Sequence, residues 1–485
     1  MGVNNTQAIL LAAGRSTRFK RKKSKLLSKI CGRAMIIFPL KVLNKLNIST
    51  TVVVGYQAEE VKKEIEKEKI RDVSFVAQSD TNGTGSAVLS SKDNWSSKNI
   101  LVLNADVPLI TTNLIKDLIR KHESVNSSVS LLSTYALDPR GYGRIVENDG
   151  RVRIYEEKDC PDEFRNSNKI NVGVYLFKRT FLQKYLEKLE KSPVSGEFYL
   201  TDLIKFASDK NLKVQEIVAP FDEVRGVNDL QELWAVEQVL RSNLIKHWMD
   251  NGVRFELAQN IHVDIDVEIG SGSFIGTGAH IIGGSKLGEE CIVSAFSIVK
   301  NSKLGDGVFV DYHSVIQDSI IGKGAEIGPF ARLRSGVSIG DNSVVGNFVE
   351  IKNSKFDNNT KAKHLSYIGD ATIGKNVNVG AGTVVCNYDG YNKHKTVIED
   401  EVFIGSNDTL VAPIKICKGA YTAAGSTITK DVPAEGLAIA RPIQENKDGY
   451  ARRIKNRLTK KEEEVSIKNT KKFNFIGAVK TDNTP

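Results

Sequence analysis

The stretch EIGSGSFIGTGAHIIGGSKLGEECIVSAFSIV, residues 268–299, carries an aliphatic residue at every sixth position: Ile269, Ile275, Ile281, Leu287, Val293 and Val299. A period of six fits neither the 3.6-residue turn of a helix nor the two-residue alternation of an ordinary strand. It suits a β-helix, in which each side of a coil sends one aliphatic residue inward and stacks on the coil below. The spacing continues after a slip of one through Leu304, Val310 and Ile316, then through Ile321, Ile327, Leu333, Ile339, Val345 and Ile351. It returns at Ile373, Val379 and Val385, and at Ile404, Leu410 and Ile416. Residues 352–372 and 386–403 read as two interruptions. Insertions in a solenoid project from one side, where function tends to be placed.

Upstream, residues 8–227 have another texture. Short β-rich runs alternate with helical stretches: AILLAA, then a helix around 34–46; TVVVG, then AEEVKKEIEKEK; ILVLNAD, then TNLIKDLIRKH. Repeated units of this kind imply an α/β fold, a mostly parallel sheet covered by helices, with ligands at the carboxyl ends of the strands. Residues 230–249, LQELWAVEQVLRSNLIKHWM, keep apolar positions at helical spacing without Gly or Pro and read as one connecting helix. From Gln444 the chain is rich in Lys, Arg, Asn and Glu, which predicts a mobile, solvated tail. The expected division is an α/β unit over 1–229, a linker helix over 230–250, a β-helix over 251–443 and a charged tail over 444–485.

A chain of 485 residues has room for about three domains with cores of their own. The net charge of +10 admits nucleic acid, anionic lipid or small polyanions as partners, so the position of the charge must decide. Cys31, Cys160, Cys291, Cys386 and Cys417 are odd in number, widely spaced and never arranged as C-x-x-C, which argues against a disulfide framework or a zinc site. A reducing cytoplasm fits them. The first apolar run is too short for a signal sequence, and no segment has the length of a membrane span. The opening MGVNNT matches the loose myristoylation pattern but reads better as a lead-in to the first strand.

LAAGRSTRF at 11–19 is neither of the two familiar glycine-rich phosphate loops. Together with QSDTNGTGSA at 78–87, LNADVPL at 103–109, GYGRI at 141–145, EEK at 156–158, NVGVYLF at 171–177 and RGVND at 225–229, it resembles the sugar-phosphate nucleotidyltransferases. With the hexapeptide half behind it, the chain is similar to the bacterial bifunctional N-acetylglucosamine-1-phosphate uridyltransferases and glucosamine-1-phosphate acetyltransferases. That resemblance implies a Rossmann-like front domain and a left-handed parallel β-helix behind it.

Attack on the α-phosphate of a nucleoside triphosphate needs cations to absorb charge as pyrophosphate leaves. Arg18 and Lys25 are the candidates, with Leu11, Ala12, Ala13 and Gly14 offering backbone groups to the nucleotide. Asp106, at the end of an apolar strand, would repel phosphates unless a cation lay between them; magnesium suits, because it takes one or two protein oxygens and completes its shell from phosphate and water. The resemblance makes Asn228 the second ligand. It assigns Gln78, Gly83 and Thr84 to the uracil nucleotide, and Gly141, Glu156 and Asn171 to the N-acetyl sugar. The chain departs from the family pattern at Ser24, where proline commonly precedes the lysine. It departs again at Ala105, which replaces a glycine, and at Val172, which replaces a hydroxyl residue.

In the back half, acetyl transfer to an amine needs a base and an anion-binding site. His364 in KAKHLSYIGD is the expected base, next to Lys363 where the family has glycine. Arg334, Lys352, Tyr367 and Asn378 match the acceptor-sugar site, and Glu350 is a candidate to orient His364. For acetyl-CoA the matches are Asn387, Tyr388, Ser406, Ala424 and Arg441. The resemblance further implies a homotrimer with sites between subunits, residues 387–401 reaching towards a neighbour, and no role for nucleic acid or membrane insertion. The expected chemistry is acetylation of glucosamine 1-phosphate, then uridylyl transfer from UTP with Mg²⁺. Two rivals are a nucleotidyltransferase of another specificity whose β-helix serves only assembly, and a scaffold without catalysis.

Overall fold

The computed structural model describes residues 5–14, 19, 23–78, 82–148 and 150–474, and of 470–474 the backbone alone. In the front half the sheet runs Val214–Val218, Val129–Tyr135, Lys169–Lys178, Asn99–Asn104, Thr6–Ala12, Thr50–Val54 and Val73–Ala77. Lys169–Lys178 is antiparallel to both its neighbours, and the other pairs along this path are parallel. The central strands are largely apolar because both faces are covered. Ala8, Leu10, Leu101 and Leu103 enter one core, while Ile9, Ile100 and Val102 enter the other.

The helix Leu230–Asp250 joins the halves. Asp229 caps it, accepting from the backbone N–H of Gln231 and Glu232 at 2.9 Å each. Along its length Val236 is buried in the front core and Ile245 in the β-helix core. Arg241 donates to the carbonyl of Ile261 at 2.7 Å, tying the helix to the first coil. That coil also meets the front half directly: Ile265 N–H donates to Cys31 O at 3.0 Å, and a Cβ on Gly32 would stand 2.5 Å from the Asp264 carboxyl.

Behind the linker, three parallel sheets of 11, 10 and 9 strands form the sides of a left-handed parallel β-helix. On the first side Ile275, Val293, Val310, Ile327, Val345, Ala362, Val379 and Ile404 stack in register. Each of the aliphatic positions expected to point inward is buried. Residues 352–372, however, are not an interruption. Phe356, Ala362 and Ile368 are buried in successive sides, so the coil continues; an aromatic and an alanine at inward positions, with slips of one on either side, hid the period. The slips share one place, the corner between the second and third sides, as from Val299 to Leu304 and from Ile368 to Ile373. The true insertion, before the strand Thr396–Ile398, leaves from that same corner.

The tail also differs from expectation. Residues Tyr450–Asn474 form one helix, exposed over its described side chains, where the sequence reading names no secondary structure. Its basic and acidic residues, KNRLTKKEEE among them, keep it solvated while its good helix formers keep it regular. Among the described residues no helix is long and apolar enough to cross a membrane.

Candidate functional sites

The front sheet ends in a cavity of about 250 Å³ lined by Leu11, Lys25, Thr84, Asp106, Gly141, Glu156, Asn171 and Asn228. Eight residues singled out in the sequence therefore meet at the carboxyl ends of the central strands. Gln78 and Gly83 stand beside them, with Gln78 Nε2 donating to Gly83 O at 3.3 Å and to Ser86 Oγ at 2.7 Å. Ala12 and Ala13 close the strand below, and Gly14 follows with nothing within 4 Å of a Cβ built there. Arg18 lies outside the described residues.

Lys25 Nζ donates to Asp106 Oδ2 at 2.5 Å and to Val227 O at 2.8 Å. The pair is partly sheltered, with side chains 15% and 21% exposed. Lys25 opens a short helical turn whose cap is Ser24, so the residue in place of proline holds the turn through its own side chain. Val172 lines the cavity as an apolar wall, and Ala105 is buried beneath it.

Glu156 accepts from Thr201 Oγ1 at 3.0 Å, yet burial pushes its carboxyl above the usual range. Asn171 donates through Nδ2 to Tyr175 Oη at 2.7 Å, across a bulge that Gly173 makes possible. At φ +76° Gly173 has no room for a Cβ, which would strike the side chain of Asn104. Asn104, Tyr142 and Tyr175 line the cavity and were not singled out in the sequence, although all three lie inside quoted motifs. Tyr142 also donates to Glu232 Oε2 at 2.8 Å, linking the cavity to the connecting helix.

A metal here would find the carboxylate of Asp106 and the amide of Asn228, both lining the cavity. That oxygen set fits Mg²⁺, which draws most of its shell from phosphate and water. Among the described residues there is no cluster of three His, Cys, Asp or Glu that would favour a zinc-type site.

In the β-helix, Arg334, Lys352 and Gly369 stack in register on the second side. Arg334 Nε donates to Glu350 Oε1 at 2.6 Å, so Glu350 serves the arginine and does not orient His364. His364 ends the strand Lys361–His364, with Nδ1 at 2.8 Å from Asn347 Oδ1. Asn378 sits one coil further on the first side, paired with Lys361. Tyr367 Oη and Asn387 Nδ2 converge over Gly369, each 2.7 Å from a Cβ built there.

The insertion adds a cation that the sequence reading overlooked. Lys393 is drawn below the usual lysine range by the Lys352 ammonium beside it, with the Asp370 carboxylate partly offsetting that repulsion. Burial raises the Asp370 carboxyl, but donors from Asn353 and Asn387 and the charge of both lysines carry it below the usual carboxylate range. Two cations held together against their repulsion are a site for an anion. Tyr388 packs within the insertion, donating to Gly390 O at 2.5 Å. Ser406, Ala424 and Arg441 form a separate strip at another corner: Gly425 N–H donates to Ser406 O at 2.8 Å and Arg441 to Ala424 O at 2.6 Å. One chain thus brings Arg334, Lys352 and Tyr367, three of the residues expected at the acceptor site, to the second side, and leaves those expected to bind acetyl-CoA in two groups.

Comparison with known proteins accounts for both halves. The nucleotidyl transferase family model matches residues 7–259. The bacterial transferase hexapeptide model matches 266–301 and 318–353, and the hexapeptide repeat of succinyl-transferase matches 395–430. The bifunctional protein GlmU of Thermodesulfovibrio yellowstonii is 40% identical over 92% of this chain and 98% of its own length. Proteins of that name from Exiguobacterium sp. and Clostridium botulinum are each 41% identical, over 92% and 91% of this chain and 99% and 97% of theirs. A match of that depth over nearly the full length of these relatives, joining one nucleotidyltransferase half to one hexapeptide half, means that the chain belongs to the bifunctional GlmU family.

Proposed function

We propose how this chain divides the two reactions of its family between its two sites. The enzyme acetylates glucosamine 1-phosphate with acetyl-CoA, then joins N-acetylglucosamine 1-phosphate to the uridylyl group of UTP with release of pyrophosphate. What carries the division is the presence in one chain of a polar cavity lined by Lys25, Asp106 and Asn228 and, in the β-helix, of His364 on the first side with the cations Arg334, Lys352 and Lys393 at the end of the second. Residues 1–229 take the uridylyl step and residues 251–443 the acetyl step.

At the front site a phosphate oxygen of the sugar attacks the α-phosphorus of UTP and pyrophosphate departs. Asp106 and Asn228 would hold Mg²⁺, which supplies positive charge to the phosphates when bound. Lys25 leaves its ion pair with Asp106 to meet the negative charge that develops, in company with Arg18. Leu11 to Gly14, Gln78, Gly83 and Thr84 bind the nucleotide, and Gly141, Glu156 and Asn171 the N-acetyl sugar.

At the back site Arg334, Lys352 and Lys393 hold the sugar phosphate, and Tyr367 and Asn378 its hydroxyls. His364 takes the amine proton as nitrogen attacks the thioester carbonyl and CoA leaves as the thiolate; such a base contributes ~10² to 10⁴ in rate. Asn387, Tyr388, Ser406, Ala424 and Arg441 bind acetyl-CoA.

Their separation within one chain supports a homotrimer in which a neighbour completes the site. So does an exposed stack on the β-helix, where Phe296, His313, Phe330 and Phe348 follow one another with ring centroids 5.0 to 5.3 Å apart. Five free cysteines support a cytoplasmic place of action.

The test is to supply glucosamine 1-phosphate, acetyl-CoA, UTP and Mg²⁺ and record CoA thiol and pyrophosphate separately. Asp106→Ala is expected to abolish pyrophosphate release and spare CoA release, and His364→Ala to do the converse. Loss of both signals in either variant would mean the halves do not act independently.

A further inference from the structure

We propose that Asn347 is the positioning residue of the acetyl-transfer step: its Oδ1 accepts the Nδ1–H of His364 and leaves Nε2 with the lone pair that takes the amine proton. The inference rests on the reading of His364 as the base. A neutral imidazole carries one N–H, and the nitrogen that keeps it is set by the partner the ring finds. With Nδ1 at 2.8 Å from an amide oxygen, the proton belongs on Nδ1.

The backbone departs from its own pattern to make this contact. On the first side of the β-helix the strands are two residues long, with two exceptions: Val344–Asn347 and Lys361–His364 run for four and lie in register. The added residues place Asn347 directly opposite His364. Gly346 permits the approach, since a Cβ there would collide with the Lys363 carbonyl. Leu365 N–H then donates to Asn347 O at 3.1 Å, and both strands turn at once, at Phe348 and Leu365 with φ +56° and +52°. The turn recurs at this corner in the neighbouring coils, as at Phe296, His313 and Phe330, so what sets this contact apart is the pair of lengthened strands.

Neighbouring charges do not take the role. Glu350 is engaged by Arg334, Lys352 stands beside Lys393, and Lys361 and Lys363 on the strand of His364 are exposed cations that cannot accept a proton from Nδ1. Asn347 itself is half-buried, so its side chain is held while His364 stays open to substrate.

Asn347→Leu removes the acceptor and keeps much of the volume; Asn347→Asp keeps the acceptor. In the full-length enzyme Asn347→Leu is expected to lower kcat for CoA release on the order of 10- to 100-fold, the range for removing the group that orients an imidazole. KM for both substrates and the rate of pyrophosphate release are expected to stay at wild-type values, and Asn347→Asp to recover most of the loss. ¹⁵N spectra of the histidines are expected to show the proton of His364 on Nδ1 in the wild type and on Nε2 in Asn347→Leu. A wild-type proton on Nε2, or unchanged kcat in Asn347→Leu, overturns the proposal. If Asn347→Leu fails to fold, which a changed far-ultraviolet circular dichroism spectrum would reveal, the wild-type spectrum and Asn347→Asp decide. Acetyl transfer surviving in His364→Ala would instead refute the base on which the proposal stands.

Discussion

Gly369 shows how closely the acceptor site depends on single atoms. It is buried on the second side of the β-helix, one coil beyond Lys352, and the Tyr367 hydroxyl and Asn387 amide both lean over it. At 2.7 Å from each, an added methyl would force both groups outward. Gly369→Ala is expected to raise KM for glucosamine 1-phosphate about tenfold, the cost of roughly one polar contact to a charged substrate, with pyrophosphate release untouched. An unchanged KM would remove Tyr367 from the proposed acceptor site. The residues proposed to carry the chemistry could be picked out in the sequence because they lie in short motifs. Asn347, Asp370 and Lys393 were not. Asn347 lies 17 positions before His364, and Asp370 lies 17 positions from Asn353 on one side and from Asn387 on the other. A six-residue period reveals the sides of a coil, but the partner above or below a residue emerges only once the corner slips are known.

Among the elements, the connecting helix couples chemistry to architecture. Its cap, Asp229, follows Asn228 in the chain, so the residue that begins the helix also fixes the end of the cavity wall. Asp229→Ala is expected to cost about 1 kcal/mol, the usual loss for a helix cap. That should appear as a fall of about 2–4 °C in the midpoint of unfolding of the front half. Pyrophosphate release is expected to weaken with it, while CoA release holds. Equal losses in both activities would mean that the helix acts on the whole molecule. This helix was legible from its spacing, as were three central strands of the front sheet. Residues 352–372 were not, because Phe356 and Ala362 fill inward positions that an aliphatic pattern omits. The tail was misread for the opposite reason, since its composition speaks of solvation and says little of local helix preference.

For the whole molecule, the decisive matter is what one subunit lacks. The described chain holds His364, Asn347 and the cationic strip, but Ser406, Ala424 and Arg441 stand at another corner from Asn387 and Tyr388. The proposed binding of acetyl-CoA by both groups would therefore bridge neighbouring subunits. The exposed aromatic stack ends beside this region: Phe348 follows Asn347, and Leu365 follows His364. Phe330 and Phe348 are 48% and 56% exposed, which leaves two rings in water unless a second subunit covers them. Charges introduced there have no place in an apolar contact, whereas in a solvated face they would be tolerated. Phe330→Asp combined with Phe348→Asp is therefore expected to shift a trimer to monomers in sedimentation. CoA release should fall with the trimer and pyrophosphate release should persist, because the described lining of the front cavity comes from one chain. A doubly substituted enzyme that remains trimeric would place the interface elsewhere on the β-helix. A monomer that acetylates at the wild-type rate would show that one subunit suffices.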